Sequence, residues 1–591
     1  MKENTKKIIS MFLTLILIFF IWHKFLLSGN TIILVMLVFP IYNFLKKVIE
    51  NESKKKFIIS IIIAVVFSII ELVCHSINTD YTLNHIIDKW IVLNFLGYTV
   101  LTWSVVSLIY SIFEKKCDDS EENIRIGNVE LLSDSKFSFV INSILIFLAW
   151  IPYFLRYYPG LLTADSCSQV AQAIGISQLS NHHPIFHTAI ISVFVNLGRA
   201  IFNNINIGVA LYTIFQMLIM SMMFAMVVKY ISKKHVPLFV RFLVLLYYMF
   251  YPINALFSVT MWKDILFSGI IPIYVINVIE LLFNTDNFLN SKKQVITYII
   301  ISILVMFLRN NGMYIVILTL PFIFIVLRKY WKKVLSISAI IVFSYILLKT
   351  SLFNIFDIKE GSVGEMLSIP LQQIARVKKY HNVELNNEIS EQIDKFFKCD
   401  DIGEKYNPIL SDPVKAELDS EYFDQNKGEF IKLWLKLLRV YFKDYVESFI
   451  SNSYGYYYPE AKHWVANRTM EENNMGISQN PLIEGKLVSK IDSLIERRDI
   501  PILSMFFSIG TAFWIIVICL GYKILQGEYK HIVSYLIIFI LWLTIVASPV
   551  FCEYRYAYPM FTTMPLYISL NFIKKKKELK NGENCSTNTM L

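Results

Sequence analysis

Residues 137–188 read FSFVINSILIFLAWIPYFLRYYPGLLTADSCSQVAQAIGISQLSNHHPIFHT. The first part, 137–155, is an apolar run of nearly the length a bilayer core requires, about 20 residues in a helix. From Arg156 onward the chain turns polar. Within one short loop it gathers an acid (Asp165), a hydroxyl (Ser166), two amides (Gln169, Gln172) and three histidines (His182, His183, His187). An anchored helix that opens into a loop dense with chemistry sets the expectation for the whole chain: a helical membrane protein that works at one membrane face.

Composition agrees. The 591 residues are 55% hydrophobic and 15% aromatic, with a mean hydropathy of +0.51, whereas soluble domains run near 45–50% apolar and about 25% charged. Apolar runs recur along the chain, predicting an all-α polytopic membrane protein with about fourteen transmembrane helices. They lie near 8–27, 31–45, 57–76, 91–113, 137–155, 207–230, 238–257, 265–283, 295–308, 313–327, 334–349, 501–525, 531–549 and 558–573. The formal charge of +10 resides in lysine clusters beside these runs, which orients a membrane protein and does not imply nucleic acid. If the runs alternate, the clusters at Lys2–Lys7, Lys46–Lys56, Lys115–Lys116, Lys229–Lys234, Lys292–Lys293, Arg328–Lys333 and Lys574–Lys577 share one side. By the positive-inside rule that side is the cytoplasm, so the expected location is the cell membrane with both termini cytoplasmic. The seven cysteines form no CxxC pair, so free thiols are expected, with a Cys167–Cys552 bridge as the alternative.

Four regions follow. Residues 1–136 hold accessory helices and 137–349 the core, with the loop 156–206 as its catalytic face. Residues 350–500 are polar enough for a small, mainly helical extracytoplasmic domain, and 501–591 return to the membrane before a basic tail. In that domain, 430–446 places Lys432, Lys436, Arg439 and Lys443 on one helical face and Ile431, Leu435, Leu438 and Phe442 on another, as expected of a helix lying in the outer interface or packed on the domain's core. The aromatics of SYGYYYPE and Trp464 suit an interfacial belt or a sugar-stacking wall. Gln372, Gln373 and Arg376 in LSIPLQQIARVKKY would either read an acceptor or close the domain.

Cations also recur in the outer loops, against the positive-inside rule. Lys263 and Asp264 stand together in MWKD, Arg309 ends a span in FLRNNG, and Glu553 and Arg555 sit among tyrosines in EYRYAYP. Pro184 can open a helix whose free N–H groups, near His182 and His183, would seat a phosphate. His183 and His187, four apart, could with Asp165 hold a divalent metal, or could cap the helix and bond within the loop.

An acid in a long outer loop, a helix starting at HP and a KD pair in the next outer loop resemble the GT-C superfamily of polytopic glycosyltransferases. The set YYPGLLTADSCSQ, NHHPIFHT, MWKD, EMLSIPLQQIAR and EYRYAYP also resembles a bacterial membrane family of unknown function, from about residue 137 to the end. The first resemblance implies a GT-C-like core, a polyprenyl-phosphate-linked sugar as donor and an envelope glycan, lipid or protein as acceptor. Two departures stand out: Asp165 is followed by Ser166 where the superfamily has an acidic pair, and four spans precede the core. A single carboxylate suffices for such a donor, because a leaving phosphate is a weak base and needs no general acid. The expected roles are therefore Asp165 as base, with Ser166, Gln169, His182, His183, Lys263, Asp264, Arg309, Glu553 and Arg555 binding substrate. A lipid or polysaccharide flippase, or a non-catalytic scaffold, are the competing classes. The sparse polar residues within the spans speak against a transport path.

Overall fold

The computed structural model describes residues 3–24, 31–115, 125–126, 129–361, 363–495, 497, 500–550 and 552–573. Lys2, Lys116, the basic tail Lys574–Lys577, Cys117 and Cys585 lie outside them. The described chain is almost entirely helical; its one strand pair, Arg125–Ile126 with Val129–Glu130, is two residues long on each side.

Helices α1 (Glu3–Lys24), α2 (Thr31–Glu50), α3 (Lys54–Asp80) and α4 (Ile91–Glu114) form an N-terminal group around Leu17, Leu45, Ala64, Val100 and Trp103. Next come α5 (Lys136–Arg156), α6 (Ala164–Ala173), α7 (Ile185–Phe202), α8 (Ile205–Lys233), α9 (Leu238–Phe250), α10 (Pro252–Ser258) and α11 (Lys263–Phe283). Apolar helices Lys292–Leu308, Gly312–Val326, Trp331–Phe356, Ile509–Leu525, His531–Ala547 and Tyr554–Leu570 complete the bundle. Its centre is α11, in which 83% of the most apolar window is buried, against 17% in α2 and in the helix ending at Phe356. A helix that is apolar on all sides belongs inside, and α11 has no polar stripe to turn outward.

Among the described residues, nine helices are long and apolar enough to cross a membrane, or ten if the bent pair α9–α10 is one span. Five of the expected fourteen spans fall on helices of only 15 to 17 residues, which at about 1.5 Å per residue come up short of a core of about 30 Å. One span-length helix was not expected: α7 lies inside the presumed loop 156–206. Its apolar character is masked in the sequence by Thr188 and Asn196, both of which face protein partners or lie part-buried.

The polar segment has its own apolar core, built from Leu371, Ile374, Phe396, Phe430, Leu433 and Tyr445 among others. Beyond Tyr445 the chain rejoins the bundle, and Tyr456, Val465, Ala466, Val488 and Ile495 belong to the main core. The expected single helix over 430–446 is two, Lys427–Val440 and Phe442–Ser453, broken at Tyr441. Its inward face is Phe430, Leu433 and Leu437, while Ile431, Leu435 and Phe442 are exposed. The i, i+3, i+7 stripe packs, and the second apolar stripe is left outside. Gln372, Gln373 and Arg376 are buried inside this unit, bonded to Asn407 O (3.0 Å), Tyr445 O (3.2 Å) and the Asp444 and Glu447 carboxylates, so they close the domain. Tyr454, Tyr456 and Tyr458 are buried too, serving neither as a belt nor as a wall. All five described cysteines are free thiols, Cys167 and Cys552 included.

Candidate functional site: an ion-paired centre on Asp165

Asp165 is placed by backbone. After α5 the chain runs alongside residues 259–261, with Leu161 N–H donating to Val259 O (2.8 Å) and Met261 N–H to Leu161 O (2.9 Å). Thr163 is extended, α6 starts at Ala164, and Asp165 stands in its first turn, where the helix dipole favours an anion. Two side chains lock the register: Ser166 Oγ donates to Met261 O, and Trp262 Nε1 donates to Thr163 Oγ1 at 2.7 Å. The strand-like pairing thereby brings the start of α11 against the start of α6.

A buried polar chain braces this junction from behind. Gln216, in the middle of α8, donates from Nε2 to the carbonyls of Ser258 (2.9 Å) and Thr260 (2.8 Å), and its Oε1 accepts from Tyr212 (2.9 Å). His187 Nε2 lies 2.6 Å from Tyr212 Oη, and its Nδ1 lies 3.1 Å from Gln169 Oε1. Gln169 in turn donates to Thr188 Oγ1 at 2.9 Å. An amide within an apolar helix must find partners of this kind or pay the cost of desolvation.

The centre itself draws on four distant stretches. Arg555 donates from one terminal nitrogen to Asp165 Oδ2 at 2.7 Å, and Lys263 Nζ lies 3.5 Å from the same oxygen. Lys263 Nζ also donates to His183 Nδ1 at 2.8 Å, so that histidine is neutral and protonated on Nε2. Arg555 Nε pairs with Glu553, and its other terminal nitrogen donates to Tyr556 Oη at 3.0 Å. The Tyr556 ring carries the Arg309 and Arg555 guanidiniums, each at 4.8 Å, and Trp262 holds Arg555 at 5.0 Å. Arg309 Nε approaches Asp264 Oδ1 to 3.2 Å. Asp264 is fully buried, yet neither of its oxygens accepts an aligned hydrogen bond among the described residues. Three carboxylates thus face three permanent cations.

Electrostatics follow from this packing. Burial works to raise the Asp165 carboxyl, but Lys263, then Arg555, outweigh it and hold it well below the usual carboxylate range. Burial, reinforced by Lys263, pulls His183 down to about 3. Burial pushes Glu553 up, with Arg555 opposing.

Of the residues expected at the site, Asp165, His183, Lys263, Asp264, Arg309, Glu553 and Arg555 meet in one cluster. Ser166 and Gln169 point into the supporting network instead. His182 is exposed, in contact with the His183 ring. The metal reading is not met: His187 is engaged by Gln169 and Tyr212, and among the described residues no three His, Cys, Asp or Glu side chains converge on a common point. Trp262 and Tyr556 stood in the quoted motifs without a role assigned to them, and Tyr212 and Gln216 went unnoticed in the sequence. A glutamine alone in YTIFQMLIM was the available signal.

A model described as a family of unknown function, DUF6020, matches residues 174–585. The chain belongs to the DUF6020 family. The part shared with DUF6020 holds His183, Lys263, Asp264, Arg309, Glu553 and Arg555, and begins nine residues after Asp165. No curated protein and no solved structure matches the chain.

Proposed function

We propose that this DUF6020 protein is a membrane glycosyltransferase of GT-C type that moves a sugar from a polyprenyl-phosphate carrier to an envelope acceptor on the extracytoplasmic face. The observation that carries the reading is Asp165, a carboxylate held between Lys263 and Arg555 at the end of a helical bundle. In this reading fourteen helices cross the membrane, with both termini cytoplasmic. Asp165 and Lys263 touch, so an even number of crossings separates them; α8 and the bent pair α9–α10 supply two, and α7 runs along the interface without crossing.

The acceptor hydroxyl attacks the anomeric carbon as the bond from that carbon to the phosphate oxygen breaks. Its proton passes to Asp165, and the carrier phosphate leaves with the bonding pair, inverting the anomeric configuration. Lys263 and Arg555 face the charge that builds on the phosphate, fixed in place beforehand by Asp165, Glu553, Trp262 and Tyr556. As the phosphate's negative charge offsets the field of these cations, Asp165 is relieved of part of it and becomes a stronger base. Asp264 and Glu553 keep Arg309 and Arg555 oriented.

The test is Asp165→Asn, isosteric but unable to take a proton. Transfer should fall by about a hundredfold or more, read as loss of one sugar from wall and lipid glycans by mass spectrometry of cells carrying the variant. Full glycosylation with Asn at this position would rule the assignment out.

A further inference from the structure

Beside the ion-paired centre lies a cavity of about 790 Å³, within the range of sites that hold small ligands. It opens where the end of α5 meets residues 462–495, and its polar lining includes Arg156, Lys462, Arg468, His463 and Asp492. The contrast in charge is informative. At the Asp165 centre every permanent cation faces a carboxylate, whereas among the described residues this cavity is lined by Arg156, Lys462 and Arg468 and by one carboxylate, Asp492. That carboxylate already accepts from Tyr157 and lies 4.0 Å from Arg468. Arg156 lies over the Tyr157 ring, and its buried Nε has no hydrogen-bond acceptor among the described residues. A buried guanidinium N–H without an acceptor is costly unless a ligand supplies one.

The cavity also shares a wall with the centre. Residue 464 pairs with the backbone around Glu553, Trp464 N–H donating to Cys552 O (3.1 Å) and Tyr554 N–H to Trp464 O (2.9 Å). The Trp464 ring lines the cavity and meets the Trp262 ring at 5.9 Å, and Trp262 holds Arg555 on its other contact. Two indoles therefore separate the surplus positive charge from the reacting carboxylate.

We infer that this cavity binds the phosphate group of an anionic acceptor, held by Arg156, Lys462 and Arg468, and presents the acceptor's hydroxyl across Trp464 to Asp165. Phosphate binding stands on the cavity alone; its assignment to the acceptor rests on the glycosyl-transfer reading. Two sources carry that chemistry, an anionic phospholipid headgroup at the membrane edge and a phosphodiester polymer outside it.

The experiment uses the full chain in nanodiscs. Arg156→Gln and Lys462→Ala are the variants, because Lys462 is exposed and neither side chain makes an ion pair among the described residues. Two probes are titrated by thermophoresis: a soluble glycerol-phosphate oligomer with protein in phosphatidylcholine discs, and phosphatidylglycerol added to those discs. One probe should bind the wild type, weaken with salt, and lose about tenfold in affinity with each variant. The responding probe names the source. Binding of neither probe, or binding that both variants leave unchanged, overturns the cavity assignment. Binding that depends on both residues while Asp165→Asn keeps full transfer would leave the phosphate site standing and remove its role as acceptor site.

Discussion

At the scale of single residues, the pairing of Lys263 with both Asp165 and His183 fixes how the centre responds to acid. Asp165 has a folded value below its unfolded one of about 3.9, so its stabilisation is complete above that value and is lost only as pH falls further. His183 is buried neutral, held at about 3 against its usual 6.5. The unfolded chain therefore binds the extra proton across that window, and stability falls as pH drops from about 6.5 toward 3. In detergent, the melting temperature should decline over pH 6.5–4.5, and His183→Gln should flatten that decline; identical slopes would show that His183 carries no such charge penalty. The candidate residues were legible one by one, since Lys263, Arg309 and Arg555 are charges at the ends of apolar runs and Asp165 is the acid of the polar loop that follows another. Their pairing was not. Nothing in the spacing says that Tyr556 spans two guanidiniums, or that Ser166 turns away to Met261 O.

At the scale of elements, the α7–α8 hairpin governs where His183 and His187 stand. The two helices touch at glycine: a side chain at Gly208 would meet Val195 Cα at 2.7 Å, and one at Gly198 would meet Gly208 Cα at 2.3 Å. Gly208→Leu forces the helices apart, with an expected cost of about 1–3 kcal/mol from overpacking and loss of the His187–Tyr212 contact. The check is the thermal midpoint, together with cross-linking between cysteines introduced at positions 187 and 212; an unshifted midpoint with efficient cross-linking would refute it. The sequence presented α7 as loop because the polar HHP and NN steps frame it, and the run between them is only 18 residues long. The segment 430–446 shows the same limit, since two apolar stripes were available and only packing chose Phe430, Leu433 and Leu437.

At the scale of the whole molecule, the polar unit is tied to the N-terminal helices through Glu447. One of its oxygens pairs with buried Arg376, and the other accepts from Leu83 N–H at 2.8 Å, between α3 and α4. Glu447→Ala leaves Arg376 with Asp444 as its one carboxylate partner among the described residues and frees the Leu83 amide. Breaking a buried pair in this way costs about 3–5 kcal/mol. Hydrogen exchange should quicken at residues 83–86 and across Ser368–His381 together; unchanged protection in both would show that the tether carries no load. This long-range tie could not be read from the chain, because its partners stand 364 residues apart, whereas the helical membrane architecture was plain from composition.

The bond between Arg555 and Asp165 spans 390 positions, and its cationic half arrives on the last helix described. A ribosome that stalled before codon 555 would leave a chain with most of its helices made but with Asp165 facing Lys263 alone, so the ion-paired centre can be completed only once translation reaches that last helix.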